Sequence, residues 1–187
     1  MRSHRNRFPI VMQGLTLLAG AAAASFAAVY AAWPHGWVLS LAISSGTCFY
    51  HFAMRLLVGA VVPMFAGLFH PDQPWFRQRR WEPRLYARLR MKRWKGGIPT
   101  YDPGQFDLSI NPLPQVVRNM CIAEVVHEVI ILLSFIPLLF AIPFGEFPVF
   151  LITSVLAALF DGIFVIAQRF NRPRLVRILK KKEAKGL

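Results

Sequence analysis

The stretch MCIAEVVHEVIILLSFIPLLFAI, residues 120–142, has the length and composition of a membrane-spanning helix, because about 20 apolar residues cross the hydrocarbon core of a bilayer. Glu124, His127 and Glu128 nevertheless lie in its first half. Even the most lenient scale assigns a charged side chain at that depth a cost of at least about 2.5 kcal/mol. Other polar groups at the same depth must therefore hold two carboxylates and an imidazole.

The whole chain has the composition of an integral membrane protein. It is 55% hydrophobic over 187 residues, with 16 Phe and 5 Trp, and this is more apolar surface than one soluble core of that size needs. Cys48 and Cys121 both lie inside apolar runs, which indicates buried thiols rather than a disulfide or a CxxC metal site. The net charge of +13 is confined to a few segments, so no nucleic-acid partner is expected.

Four apolar segments predict an all-α fold with four transmembrane helices in a single membrane domain. The first is interpreted as an uncleaved span, since its run of about 25 apolar residues exceeds the hydrophobic region of a signal peptide. Pro63 predicts a kink or an interfacial extension past about Leu57 in the second. The spans are expected at about 8–33, 37–57 with an extension to 69, 119–142 and 147–168, with a loop at 70–118 and a basic tail at 169–187.

The positions of lysine and arginine orient these spans. Three of the 22 lie in the N-terminal tail, ten in the 70–118 loop, eight from Arg169 onward, and one, Arg55, inside the second span. The two remaining connections, AAWPHGW and IPFGEFP, contain none. The positive-inside rule therefore places both termini and the long loop in the cytosol. The expected localisation is a bacterial-type cell membrane, which the chain crosses several times.

Ionisable side chains from three of the spans fall at one depth. At 1.5 Å per residue, Glu124 and His127 lie about 8 and 12 Å below the cytosolic end of their span, and His51 and Asp161 about 10 Å below the same surface. Glu124, His127 and Glu128 share a helix face, and His51 with Arg55 forms a second polar stripe. Four helices that turn such stripes inward would form a polar pocket open to the cytosol, although polar groups between membrane helices also serve as simple interhelical hydrogen bonds.

Two basic segments flank this expected pocket. RQRRWEPRLYARLRMKRWK, residues 77–95, interleaves cations with aromatic side chains, as an interfacial amphipathic helix on anionic headgroups does. QRFNRPRL, residues 168–175, places three arginines around Pro173, which is expected to stop the helix. Guanidinium forks aimed at the pocket mouth suit phosphate, so a phosphorylated or pantetheine-linked donor would meet them first.

The motifs RRWE, LYARLRMKRWK, AEVVH and QRFNRPRL, taken together, resemble the integral-membrane glycosyl-4,4'-diaponeurosporenoate acyltransferase family over roughly residues 75–180. Members of that family place a fatty acyl chain on the sugar hydroxyl of a carotenoid glucoside. The resemblance implies an O-acyltransferase whose acceptor is a carotenoid glucoside or another glycosylated lipid. The matched positions are Trp81, Glu82, Tyr86, Arg93 to Lys95, Glu124, His127 and Gln168 to Arg174.

Acyl transfer to a hydroxyl needs a general base, and His127 is the candidate, oriented by Glu124 or Glu128. Arg55 or His51 would stabilise the oxyanion of the tetrahedral intermediate. No cofactor and no metal is expected; the co-substrate is acyl-CoA or a similar thioester, and the partners are membrane lipids and the lipid acceptor. Substrate contacts are expected from Arg55, Trp81, Glu82, Tyr86, Trp94, Lys95, Asp161, Gln168, Arg169, Asn171, Arg172 and Arg174.

Two other function classes remain open from the sequence. Glu124 and His127 match one Glu-x-x-His element of a carboxylate-bridged di-iron bundle, but such sites use two of these elements and two further Glu, and this chain contains one element only. The other alternative is a non-catalytic membrane protein that binds lipid or a protein partner. In that case the polar side chains would serve only to pack the helices.

Overall fold

The computed structural model describes residues 7–185, and all of its regular secondary structure is helical, with no strand in that range. Two of the N-terminal tail cations used for orientation, Arg2 and Arg5, lie outside the described residues. The first helices, α1 (Phe8–Ala32) and α2 (Gly36–Val61), form a tightly connected pair. Gly20 permits their close approach, because a Cβ there would lie 3.0 Å from the Phe49 ring.

Beyond α2 the chain changes helix type at Pro63, in accordance with the predicted kink. A 3₁₀ helix, Val62–Leu68, follows α2 directly, and Phe65 within it departs from helical geometry at φ −96° and ψ 18°. Proline has no N–H to donate and crowds the preceding turn, so the regular α-helix cannot continue unchanged through it. The polypeptide then enters the long loop.

The loop carries short helical pieces that are docked onto the protein. They are the 3₁₀ turns Pro74–Phe76, Lys95–Gly97 and Pro103–Phe106, and the helices α3 (Glu82–Arg88) and α4 (Met91–Trp94). The prediction of one interfacial helix over 77–95 is wrong, because Arg90 adopts a left-handed conformation, φ 50° and ψ 40°, between α3 and α4. This break lets Tyr86 and Met91 both pack against Ala167.

The second half of the fold is a pair of long helices, α5 (Leu113–Leu133) and α7 (Phe147–Glu183). Between them lie a 3₁₀ helix, Ile136–Phe140, and the short helix α6 (Ala141–Phe144). The third span, expected at about 119–142, lies within an apolar helical segment from Leu113 to Phe144 that changes helix type after Leu133. The helix starts earlier, with a proline in its first turn, where no N–H is needed.

The early end of α5 has an identifiable cause in Pro137. Without an N–H, Pro137 cannot donate to the carbonyl of Leu133, four residues before it. The hydroxyl of Tyr50, on α2, donates to that carbonyl instead, at 2.8 Å. A side chain of one helix thus replaces the hydrogen bond that the proline removes from another.

Pro173 does not stop α7, which runs as one helix of 37 residues to Glu183, so that expectation was wrong. The basic tail is therefore mostly a continuation of the fourth span. Arg169 lies four residues before the proline, and Arg172 lies one residue before it. The side chains of both arginines are bound to α5 and to the loop. These contacts hold the backbone in place where the missing hydrogen bond would weaken it.

The two helix pairs meet where α2 packs against α5, through Met54, Val58 and Ile130. Large apolar side chains elsewhere face outward; Leu132 is 73% exposed and Ile142 is 83% exposed. Within the described residues, four helical segments are long and apolar enough to span a membrane: Phe8–Ala32, Gly36–Leu68, Leu113–Phe144 and Phe147–Glu183. The molecule is an all-α membrane protein, and its outward apolar side chains are suited to contact lipid.

Candidate functional site

Asp161, in the middle of α7, is the centre of a buried polar cluster between three helices. Its side chain is 1% exposed and receives a hydrogen bond and ion pair from Arg55 of α2. His127 of α5 contacts its other oxygen, with 2.9 Å between Nδ1 and Oδ1. The predicted shared depth of His127 and Asp161 is consistent with their contact, although three helices form the cluster rather than four.

The imidazole of His127 is held in one orientation by two contacts. Its ring stacks on Phe164, with 4.5 Å between ring centroids and 10° between planes, while Nδ1 faces Asp161. Nε2 has no hydrogen-bond partner among residues 7–185, and the side chain remains 22% exposed. When the carboxylate accepts from Nδ1–H, the lone pair of the neutral ring is on Nε2, the nitrogen that remains free.

Both Nη atoms of Arg55 donate hydrogen bonds within the protein. Besides Asp161, it donates to the carbonyl of His51 at 2.9 Å and to that of Ala157 at 3.4 Å. Nη1 is held by the His51 carbonyl and Nη2 by Asp161 and Ala157, and stabilisation of an oxyanion by Arg55 stays a prediction. His51 lies in the same region with both ring nitrogens buried and without a partner among the described residues.

A second buried cluster lies closer to the loop end of α5 and α7, around Glu124. Glu124 is 0% exposed and accepts from Arg169 at 2.6 Å and from Arg172. Its two oxygens are thus taken by two guanidinium groups. The expectation that Glu124 orients His127 is wrong in this structure, since Asp161 has that position.

Arg169 connects this cluster to the loop. It donates to one oxygen of Glu82 at 2.9 and 2.7 Å, and to the carbonyls of Trp75 and Arg77, both at 3.3 Å. Tyr86 donates to the other oxygen of Glu82 at 2.9 Å. Burial, followed by this bond to a carboxylate, raises the pKa of the Tyr86 hydroxyl and keeps it protonated.

Arg172 does not point at a pocket mouth as expected. It is 2% exposed, pairs with Glu124, and donates to the carbonyl of Phe76 at 2.8 Å. Its guanidinium also lies 5.0 Å from the centroid of the Phe76 ring. Arg169 and Arg172 therefore neutralise buried Glu82 and Glu124, and they are not available to a phosphate in this conformation.

The remaining expected site residues are distributed over the loop end. Glu128 accepts from Trp75 Nε1 at 2.8 Å rather than contacting His127. Lys95 donates to Asn171 at 2.7 Å and lies 4.9 Å from the Phe170 ring centroid. Four others take no part in the two clusters: Trp81 and Arg174 are exposed, Trp94 donates to the Leu89 carbonyl at 2.7 Å, and Gln168 is half-buried.

Sequence reasoning missed several residues that shape these clusters. Trp75 and Phe76 supply a side-chain donor to Glu128 and a carbonyl to Arg172, and Phe164 supplies the stacking surface for His127. Phe164 follows Asp161 by three positions and thus lies on the same helix face, which is a signal the sequence offers. The loop residues carry no such signal, since their position depends on tertiary docking.

A group of three or more His, Cys, Asp or Glu side chains placed to hold a metal does not occur among residues 7–185. Glu124 and His127, which the di-iron alternative pairs, face different clusters: the first meets two arginines and the second meets Asp161.

The fold and these contacts define a helical membrane protein with a histidine–aspartate pair between α5 and α7 and a basic loop fixed to α7 by ion pairs. The model of the glycosyl-4,4'-diaponeurosporenoate acyltransferase family matches residues 72–181. The chain belongs to this family of carotenoid-pathway acyltransferases. No curated protein matches the chain, and no solved structure does either.

Proposed function

We propose that the protein is an O-acyltransferase that moves a fatty acyl group from a cytosolic thioester donor to a hydroxyl group of a glycosylated lipid. Membership of the family supports acyl transfer and a carotenoid glucoside as acceptor. The observation that carries the chemistry is the His127–Asp161 pair, with Nδ1 on the carboxylate and Nε2 free. The bilayer supplies the acceptor laterally, and the basic loop faces the cytosol under the positive-inside rule.

His127 acts as the general base in this proposal. Its Nε2 removes the proton from the acceptor hydroxyl as the oxygen attacks the thioester carbonyl, which forms the C–O bond and a tetrahedral oxyanion. Collapse of that intermediate breaks the C–S bond, and the thiolate takes the proton back from Nε2. The products are an ester and a free thiol, with no net change of protonation on the enzyme.

Asp161 orients the ring and stabilises the imidazolium that forms during the reaction. Arg55 balances the charge of Asp161 in the resting state, so the carboxylate does not require a charged histidine as its partner. Phe164 limits rotation of the ring through stacking. The pair is therefore pre-organised before substrates enter.

The test is a comparison of His127→Ala, His127→Gln and a matched control, His70→Ala, in purified, membrane-reconstituted protein. We expect the rate of transfer to fall by about 10² to 10⁴ in both His127 variants, because neither side chain accepts the proton. His70 is exposed outside the site and should be dispensable. If His127→Ala only lowered thermal stability and kept its single-turnover rate, His127 would be an interhelical hydrogen-bonding residue and this mechanism would be excluded.

A further inference from the structure

A cavity of about 300 Å³ lies between the start of the loop and the last turns of α7, apart from the His127–Asp161 pair. Arg77 and Gln78 line it from the loop, and Arg177 and Lys180 from α7. Phe76 and Arg172, both buried, form its floor. Since Arg172 is paired with Glu124, the floor is fixed and the unpaired positive charge lies on the walls.

The wall cations have free donors. Arg77 donates through Nε to the carbonyl of Asp72, and Arg177 through Nε to that of Pro173, both at 3.3 Å. The Nη atoms of both have no partner among residues 7–185. Lys180 lies 3.7 Å from Asp72 with both side chains mostly exposed, at 66% and 82%, so this contact is weak. Three cations and one carboxylate leave a local excess of positive charge suited to a phosphate group.

The distance from this cavity to the candidate base fits a particular kind of ligand. Arg177 follows Asp161 by sixteen residues on one unbroken helix, which is about 24 Å along the axis at 1.5 Å per residue. An extended phosphopantetheine arm has a length of that order. A donor whose phosphates lie in the cavity could therefore present its thioester near His127. A membrane phospholipid, whose phosphate lies close to its acyl ester, could not.

We infer that this cavity binds the phosphate groups of a CoA-type thioester donor, through Arg77, Arg177 and Lys180. The inference rests on the proposed acyltransferase function and adds the donor class and its binding residues. Anionic lipid headgroups offer the same phosphate chemistry, so the experiment must separate the two sources. The sequence predicted Arg169 and Arg172 as phosphate ligands, but both are buried in ion pairs. The inferred ligands lie instead on the next turns of α7 and in the loop.

Binding is measured first, without any reaction. The Kd of CoA is determined by calorimetry for the wild type and the Arg77→Gln/Arg177→Gln variant in neutral detergent, with Arg84→Gln/Arg88→Gln as the control of equal charge. We expect Kd to rise at least about tenfold in the cavity variant only, as loss of charge-assisted hydrogen bonds predicts. Equal CoA affinity in wild type and cavity variant would overturn the inference. A cavity variant that lost affinity for vesicles containing phosphatidylglycerol, but not for CoA, would also overturn it.

Transfer from two donors then separates this inference from the proposed function. The cavity variant should raise KM for an acyl-CoA at least about tenfold and leave unchanged the rate from an acyl-N-acetylcysteamine thioester, which carries no phosphate. Equal loss with both donors would overturn the assignment of the cavity to phosphate. If the wild type transferred from neither donor but bound CoA through these arginines, the proposed function would fail while the binding site remained.

Discussion

Asp161 has two partners inside the helix bundle: one neutralises its charge, and the other is the imidazole that it orients. A buried charge must be paired, and Arg55 supplies that pairing. The second oxygen remains available to His127. Arg55 thus neutralises Asp161, and Asp161 orients His127. The effect of Asp161 on the stability of the folded protein and its effect on the reaction therefore depend on different partners.

This division predicts that stability and activity can be separated. Arg55→Met should leave an uncompensated buried carboxylate and lower the free energy of unfolding by about 3 to 5 kcal/mol. The double variant Arg55→Met/Asp161→Leu should recover most of that loss, since no charge remains buried, but its transfer rate should stay near that of His127→Ala. Thermal unfolding in detergent and single-turnover transfer on the same samples provide the measurement. A double variant with near-normal turnover would show that Asp161 does not orient the base.

Counting depth along the helices was enough to bring His127 and Asp161 to one level, because the rise per residue is nearly constant. It was not enough to choose the partner of His127. Glu124 and Glu128 are close to it in sequence, but a residue on a facing helix can meet the ring directly, and helix rotation decides which one does. Glu124 instead meets arginines from a segment that was expected to lie outside the helix.

At the scale of the element, the end of α5 depends on a side chain of α2. Pro137 frees the Leu133 carbonyl, and the Tyr50 hydroxyl satisfies it. A free carbonyl is costly where water is absent, so this bond also connects the two helix pairs. The sequence marks Pro137 as a break, but the residue that compensates for it is more than eighty positions away.

We therefore expect a non-additive pair of substitutions at this position. Tyr50→Phe should lower the free energy of unfolding by about 1 kcal/mol or more, the usual cost of an unsatisfied buried acceptor. In a Pro137→Ala background the same change should cost less, because the alanine N–H can donate to the Leu133 carbonyl. A double-mutant cycle on thermal stability measures the coupling. Equal costs of Tyr50→Phe in both backgrounds would mean that the hydroxyl does not replace the proline's missing bond.

Pro173 is a second position at which contacts with other elements decide where a helix ends. Taken alone, a proline inside a basic segment predicts a helix end. In the folded chain, Arg169 and Arg172 fix this part of α7 to α5 and to the loop, and the helix continues. Buried ion pairs outweigh the local propensity of the proline, and the continued helix places Arg177 and Lys180 at the wall of the cavity.

At the scale of the molecule, the membrane class followed directly from composition and from the number of long apolar segments. The position of the loop did not follow from composition, since it depends on ion pairs between residues far apart in sequence, such as Arg169 with Glu82. The result is a bundle with a polar, basic end and an apolar remainder. The proposed use of a cytosolic donor at the basic end requires that this end face the cytosol.

This orientation gives the last prediction. Single cysteines at three exposed positions, His35→Cys, Tyr101→Cys and Glu183→Cys, would be placed in a Cys48→Ala/Cys121→Ala background. In intact cells, a membrane-impermeant maleimide should label position 35 and leave positions 101 and 183 unlabelled until the membrane is permeabilised, because the loop cations lie with the latter two. The permeabilised sample controls for reactivity at each site. Labelling of position 101 in intact cells would place the basic loop outside, where a cytosolic thioester donor could not reach the cavity or His127.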